Sequence, residues 1–171
     1  ILAAPAWAKR LVKAVEGMLF IDEISTAPPA VQAALLRVIL DRVVGDLPLP
    51  AGVRIVAAMN PPDQAAGGWE LSMPLANRFC HIPWSLNVAE WVEGMQQGFP
   101  DVSFPRLPIG WESSIREANV MISSFIQHKQ TILYACPKND SDGGKPWPSP
   151  RSWAMAARLS AACQASNAGQ D

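Results

Sequence analysis

Charge is scarce in this chain of 171 residues: only 17% are Asp, Glu, Lys or Arg, against about 25% in an ordinary globular domain. A chain so lightly charged suits one that hides surface against partners. The two signs nearly cancel, with 14 Lys plus Arg and 15 Asp plus Glu, a net charge of −1. Nucleic-acid binding driven by bulk charge is therefore excluded as a default. Cysteine is scarcer still: Cys80, Cys136 and Cys163 are odd in number and form no C-x-x-C. A disulfide framework or a zinc site does not fit, and a reducing, cytoplasmic setting is expected. His81 beside Cys80 does not make a metal site. No apolar run nears the ~18 residues of a membrane-spanning helix. No membrane partner is expected, and no signal peptide is visible. The chain opens on Ile1 rather than Met, which reads as a processed product or a fragment.

Apolar residues, at 49%, are plentiful enough for a real core, so disorder is not expected. The length suits one domain, or one with a small appendage, at ~100–200 residues per domain. Trp7, Leu11, Val12 and Val15 recur at helical spacing over residues 3–16, and Gly17 should end that helix. Met18 to Ile21 form a short continuous apolar run, the pattern of a buried parallel strand. Ser25 or Thr26 can cap the next helix, with Pro28 and Pro29 in its first turn and Val31, Leu35, Val38 and Ile39 on one face. Residues 42–54 read as a hairpin connector, or as a hairpin facing a pore. Val53 to Met59 is a second buried strand. A loop over 63–70 with Gly67-Gly68, a short helix over 71–77 and a short strand over 79–83 follow. After Trp84 the strands stop, with a break near residues 85–98. Helices are expected over 113–130 and 149–165, separated by a Pro/Gly-rich loop.

Chemistry gathers at the strand ends. In a parallel α/β sheet, ligands bind beyond the carboxyl ends of the strands. Asp22 and Glu23 end the first apolar run. One carboxylate there can hold Mg²⁺ through its waters, and the second can polarise an attacking water. The same pair equally describes an acidic strand end that begins a helix. Asn60 ends the second strand and can hydrogen-bond a water and a phosphate oxygen together, or form an Asx turn ahead of Pro61 and Pro62. Arg78, at a short helix's end, can pair within its own chain or project into a neighbour's site. Arg151 falls in the first turn of the last helix, where a cation is disfavoured unless it reaches water or a nearby phosphate.

Order and spacing make the set more specific than its members. From about residue 5 to residue 83 the chain resembles the AAA+ ATPases, most closely their MoxR branch, with a weaker extension into the last helix. MLFIDE is similar to a Walker B segment, which implies Asp22 as the Mg²⁺-associated acid and Glu23 as the catalytic base. VRIVAAMNP resembles sensor 1 and puts that role on Asn60; PLANRF resembles the arginine-finger segment, with Arg78; SPRSW resembles sensor 2, with Arg151. The resemblance implies an α/β fold: a partial AAA+ core over residues 1–84, then a linker and all-helical lid over 85–171. It implies ATP and Mg²⁺ as cofactors, a homo-oligomeric ring, often a hexamer, and chaperone-like remodelling of a protein partner.

The departure is as informative. No G-x-x-x-x-G-K-[ST] occurs; the one Gly-Lys, Gly144-Lys145, is followed by Pro146. The backbone cradle, the phosphate Lys and the hydroxyl on Mg²⁺ are missing. The family's strand order would place the missing strand between the Asn60 strand and that at 79–83. A C-terminal portion of a longer ATPase is expected, inactive alone. Two rivals are a non-catalytic AAA+-like interaction module and an AAA+ nucleic-acid motor. Net charge disfavours the motor. The seven Trp read as packing or interface residues. Met18, Met59 and Met155 read as core filler, and the three Cys as buried and inert.

Overall fold

A computed structural model describes residues 4–61, 68–101, 106–138 and 144–166. Most of the loop expected over 63–70, and residues 139–143 of the loop expected over 137–148, lie outside them. The chain divides into two compact units: Ile1–Phe79 with Cys136–Trp147, and Cys80–Ala135 with Pro148–Asp171.

The first unit opens with helix α1, Ala6–Ala14. It ends two residues before the expected residue 16, because Val15 takes a left-handed conformation at φ 67° and donates its amide to the Leu11 and Val12 carbonyls. A β-branched residue at positive φ is an outlier, and no sequence rule favours it there. Strand β1, Glu16–Ile21, follows. A 3-10 turn over Ile24–Thr26 then separates it from helix α2, Pro29–Leu40. Ser25 and Thr26 are used up in that turn and cap nothing; Pro28 is the cap residue and Pro29 the first helical position. Strands β2, Val43–Val44, and β3, Leu47–Pro48, form a small antiparallel hairpin. It is built into the body, since Val44 and Leu49 are buried with Ala8 of α1.

Strand β4, Gly52–Ala57, returns parallel to β1, with Glu16 opposite Gly52 and Ile21 opposite Ala57. Gly52 is required: a Cβ there would stand 2.8 Å from the Val15 carbonyl oxygen. Side chains alternate across such a ladder. Leu19, Ile21, Val53, Ile55 and Ala57 are wholly or partly buried, whereas Met18, Phe20, Arg54 and Val56 are exposed. Met18 and Met59 are therefore not core filler: Met18 lies on the open face, and Met59 falls beyond the end of β4.

Helix α3, Met73–Ala76, puts Leu75 and Ala76 into a cluster with Ile24 and Leu71, against Ile21, Leu35, Leu36, Ile39 and Ala57. Inside α2, the buried Gln32 amide donates to the Ala27 and Glu70 carbonyls at 3.1 and 3.2 Å and accepts from the Ser72 amide at 2.8 Å. This side chain fixes where the segment leading to α3 runs. Residues 136–147 join this unit too: Asn77 Nδ2 donates to the Trp147 carbonyl at 2.9 Å. The strand expected over 79–83 does not form. A strand exists only through a ladder partner, and no described residue pairs with that run.

In the second unit, the break expected near 85–98 instead holds helix α4, Val88–Gln97. Asn87 caps it, accepting from the Ala89 and Glu90 amides and donating to the Glu90 carboxylate. The Asn-x-x-Glu spacing was the overlooked signal. Helices α5, Ile115–His128, and α6, Pro150–Ser166, pack through Ala118, Ala157 and Ala161, with Trp111, Ile115 and Ile122 around them. Trp153 holds the group together, edge-on to Phe125 and donating its indole N–H to the Ile132 carbonyl at 3.0 Å. Cys163 is exposed, being well round the helix from the buried Ala157–Ala161 stripe, and Cys80 is exposed in the run that forms no strand. Only Cys136 is partly covered, so the three thiols are not the buried set expected.

Candidate functional site

The parallel register of β1 and β4 brings their carboxyl ends side by side. Beyond the ladder the two chains stay tied: the Ala58 amide donates to the Ile21 carbonyl at 2.9 Å, and the Ile24 amide to the Ala58 carbonyl at 3.0 Å. Asp22 and Glu23 occupy the turn between those two bonds, and Asn60 lies two residues past Ala58, beyond the end of the neighbouring strand. All three side chains are exposed. This is the edge at which open α/β sheets bind ligands.

The turn is held tightly. Glu23 sits at φ 50°, in the left-handed region. Its amide donates to Asp22 Oδ1 at 3.0 Å, and its carbonyl accepts from both the Thr26 amide and the Thr26 hydroxyl at 2.8 Å. Ile24, directly after, is buried and anchors the turn in the α2–α3 cluster.

Arg78 stands just past α3, whose Leu75 and Ala76 share that cluster with Ile24. It is half-buried, and its guanidinium donates to the Pro74 carbonyl one helical turn back. Arg151 belongs to the other unit. It is exposed in the first turn of α6, after a reciprocal cap in which the Ser152 amide donates to Ser149 Oγ at 3.1 Å and the Ser149 amide to Ser152 Oγ at 2.8 Å. The first unit thus assembles Asp22, Glu23 and Asn60 at one sheet edge, with Arg78 on an adjoining element.

The donor set can be weighed against a hydrated cation. Among the described residues no group of three or more His, Cys, Asp or Glu converges, so no all-protein cage is present. Asp22 keeps Oδ2 beyond the oxygen engaged by the Glu23 amide. A single outward carboxylate fits Mg²⁺, which takes one or two protein carboxylates and fills its shell with water and phosphate oxygens. Sequence reasoning found the acids but missed Thr26 and Gln32. Thr26 was read as a cap, although its spacing from Glu23 is that of a local side-chain-to-backbone bond. No pattern singles out Gln32, two of whose three partners, Glu70 and Ser72, lie far along the chain.

Residues 5–67 match the family described as Sigma-54 interaction domain. A 55-residue segment is 51% identical to the Psp operon transcriptional activator of Escherichia coli (strain K12), covering 30% of this chain and 17% of that protein. No solved structure matches the chain. Among the described residues, no helix is long and apolar enough to cross a membrane. The family match runs over α1, β1, the acidic turn, α2 and β4, and the two matches together support an AAA+ ATPase.

Proposed function

We propose that this chain supplies the water-activating side of an ATP-hydrolysing site, in a protein that uses the reaction to remodel a protein partner. The observation that carries the reading is the tied pair of strand ends, with an Asp-Glu turn on one and Asn60 on the other. Glu23 acts as general base toward water, and Asn60 orients that water through its amide. Asp22 would hold Mg²⁺, and that ion would supply charge neutralisation at the phosphate oxygens. Arg78 and Arg151 stabilise charge on the transferred phosphoryl group, Arg78 from a neighbouring copy in a homo-oligomeric ring. The helices after residue 84 serve as a lid.

The sequence holds no phosphate-cradling loop; among the described residues no strand pairs with either outer edge of the β1–β4 sheet, and Met18, Phe20 and Val56 stand exposed on one face. We infer that a further strand and its Gly-rich loop complete the site from outside these residues. In the protein so assembled, Glu23→Gln should cut ATP turnover by roughly 10²–10⁴-fold, the usual worth of a general base, with nucleotide binding retained. Unchanged turnover would sink the reading, as would a stoichiometric ATPase rate from the 171-residue chain alone.

Two finer readings differ in the partner. The order and spacing of the whole set, Asp22, Glu23, Asn60, Arg78 and Arg151, resembles the MoxR branch and would imply a chaperone-like remodeller. The match over residues 5–67 favours a partner in transcription, as the family's description names sigma-54. Nucleotide-dependent binding to purified sigma-54 separates them: saturable binding selects the second, and none selects the first.

A further inference from the structure

Thr26, at the end of the 3-10 turn that follows Glu23, takes no part in the chemistry proposed above. Glu23 is in the left-handed region at φ 50°, a conformation that costs a non-glycine residue stability and persists only where its surroundings enforce it. The surroundings here are few and identifiable. The Glu23 amide is taken by Asp22 Oδ1, and its carbonyl is taken twice by Thr26, through amide and hydroxyl. The next amide, that of Ile24, is committed to Ala58 on the neighbouring strand. A rotation of Glu23 back to an ordinary backbone conformation would pull against all of these bonds. It would also change the direction in which the Glu23 side chain leaves the main chain.

We propose that Thr26 is a positioning residue: its hydroxyl clamps the Glu23 carbonyl and so fixes the direction of the Glu23 carboxylate. This rests on Glu23 being the general base. Thr26 is exposed, so removing its hydroxyl leaves the core intact. Asp22 shares the task through Oδ1, which makes the two acids interdependent: the side chain of one holds the main chain of the other.

The test pairs a structural readout with a kinetic one. In the 171-residue chain, backbone NMR shifts and the amide-to-Hα coupling of Glu23 report its conformation without any nucleotide. Thr26→Val, nearly isosteric, should lose the left-handed signature in part. Thr26→Ser should keep it, and so should Asp22→Asn, which retains the oxygen acceptor. In the protein assembled with its phosphate-binding part, Thr26→Val should lower kcat about five- to tenfold, the worth of one such hydrogen bond, with KM for ATP unchanged and Thr26→Ser restoring the rate. An unaltered Glu23 signature in Thr26→Val overturns the proposal, as does an altered signature with unchanged kcat. The ATPase reading fails separately, if Glu23→Gln leaves turnover intact.

Discussion

The same two strands build both faces of the β1–β4 sheet, yet the faces have different fates. On one, Val53 is fully buried, and Leu19, Ile21, Ile55 and Ala57 lie at least partly beneath neighbouring elements. On the other, Met18, Phe20 and Val56 stand 60%, 52% and 42% exposed. Parallel sheets are ordinarily covered on both sides, and a two-stranded sheet is marginal by itself. The apolar character of the open face is thus written for a neighbour, whereas the covered face already has its own. What the contrast teaches is that an apolar run in sequence reports the need for burial, not whether these residues alone can meet it.

The comparison can be broken from the covered side. Leu75→Ala removes a fully buried side chain from the cluster that joins α2, α3 and the acidic turn. It should destabilise the chain by about 2–5 kcal/mol, read as a lowered urea midpoint in tryptophan fluorescence. Gln32→Leu should cost less, about 1–3 kcal/mol, because it orphans the Ser72 amide and the Ala27 and Glu70 carbonyls. Its sharper signature is local: hydrogen exchange at the Ser72 amide should rise, and unchanged exchange would show that the amide is held by something else. The smallest effect belongs to the open face. Phe20→Ser in this chain should move stability by no more than about 0.5 kcal/mol. A loss several times larger would mean that the face is covered in solution.

Legibility in sequence followed the same divide. Both strands and the acids ending the first were readable, since a run of Met, Leu, Phe and Ile closed by Asp-Glu needs no knowledge of neighbours. The strand at 79–83 was misread for the opposite reason: its residues suit a strand, but pairing is not a local property. Helix α4 was missed although Asn87 and Glu90 announced it, because the composition after Trp84 suggested only a break. Val15 and Glu23 at positive φ could not be foreseen. Each is set by hydrogen bonds to its surroundings rather than by its own preference. Asp22, Glu23 and Asn60 were placed at strand ends from sequence; the Thr26 clamp that holds one of them needed coordinates.

The hairpin between α2 and β4 has a consequence in time. Arg42 closes it, donating through Nη2 to the Pro50 and Val53 carbonyls while its own carbonyl accepts from the Leu49 amide. These contacts are local and are made cheaply, as α2 is. The β1–β4 ladder is not local: its strands meet only after the whole helix and hairpin between them are in place. Loop-closure entropy is charged before such a pairing returns anything. By drawing the start of β4 back toward the end of α2, Arg42 shortens the effective search. The stretch between the two strands is thus a closed helix and hairpin rather than an open loop, and the chain leading to Asn60 starts from a point fixed to the end of α2.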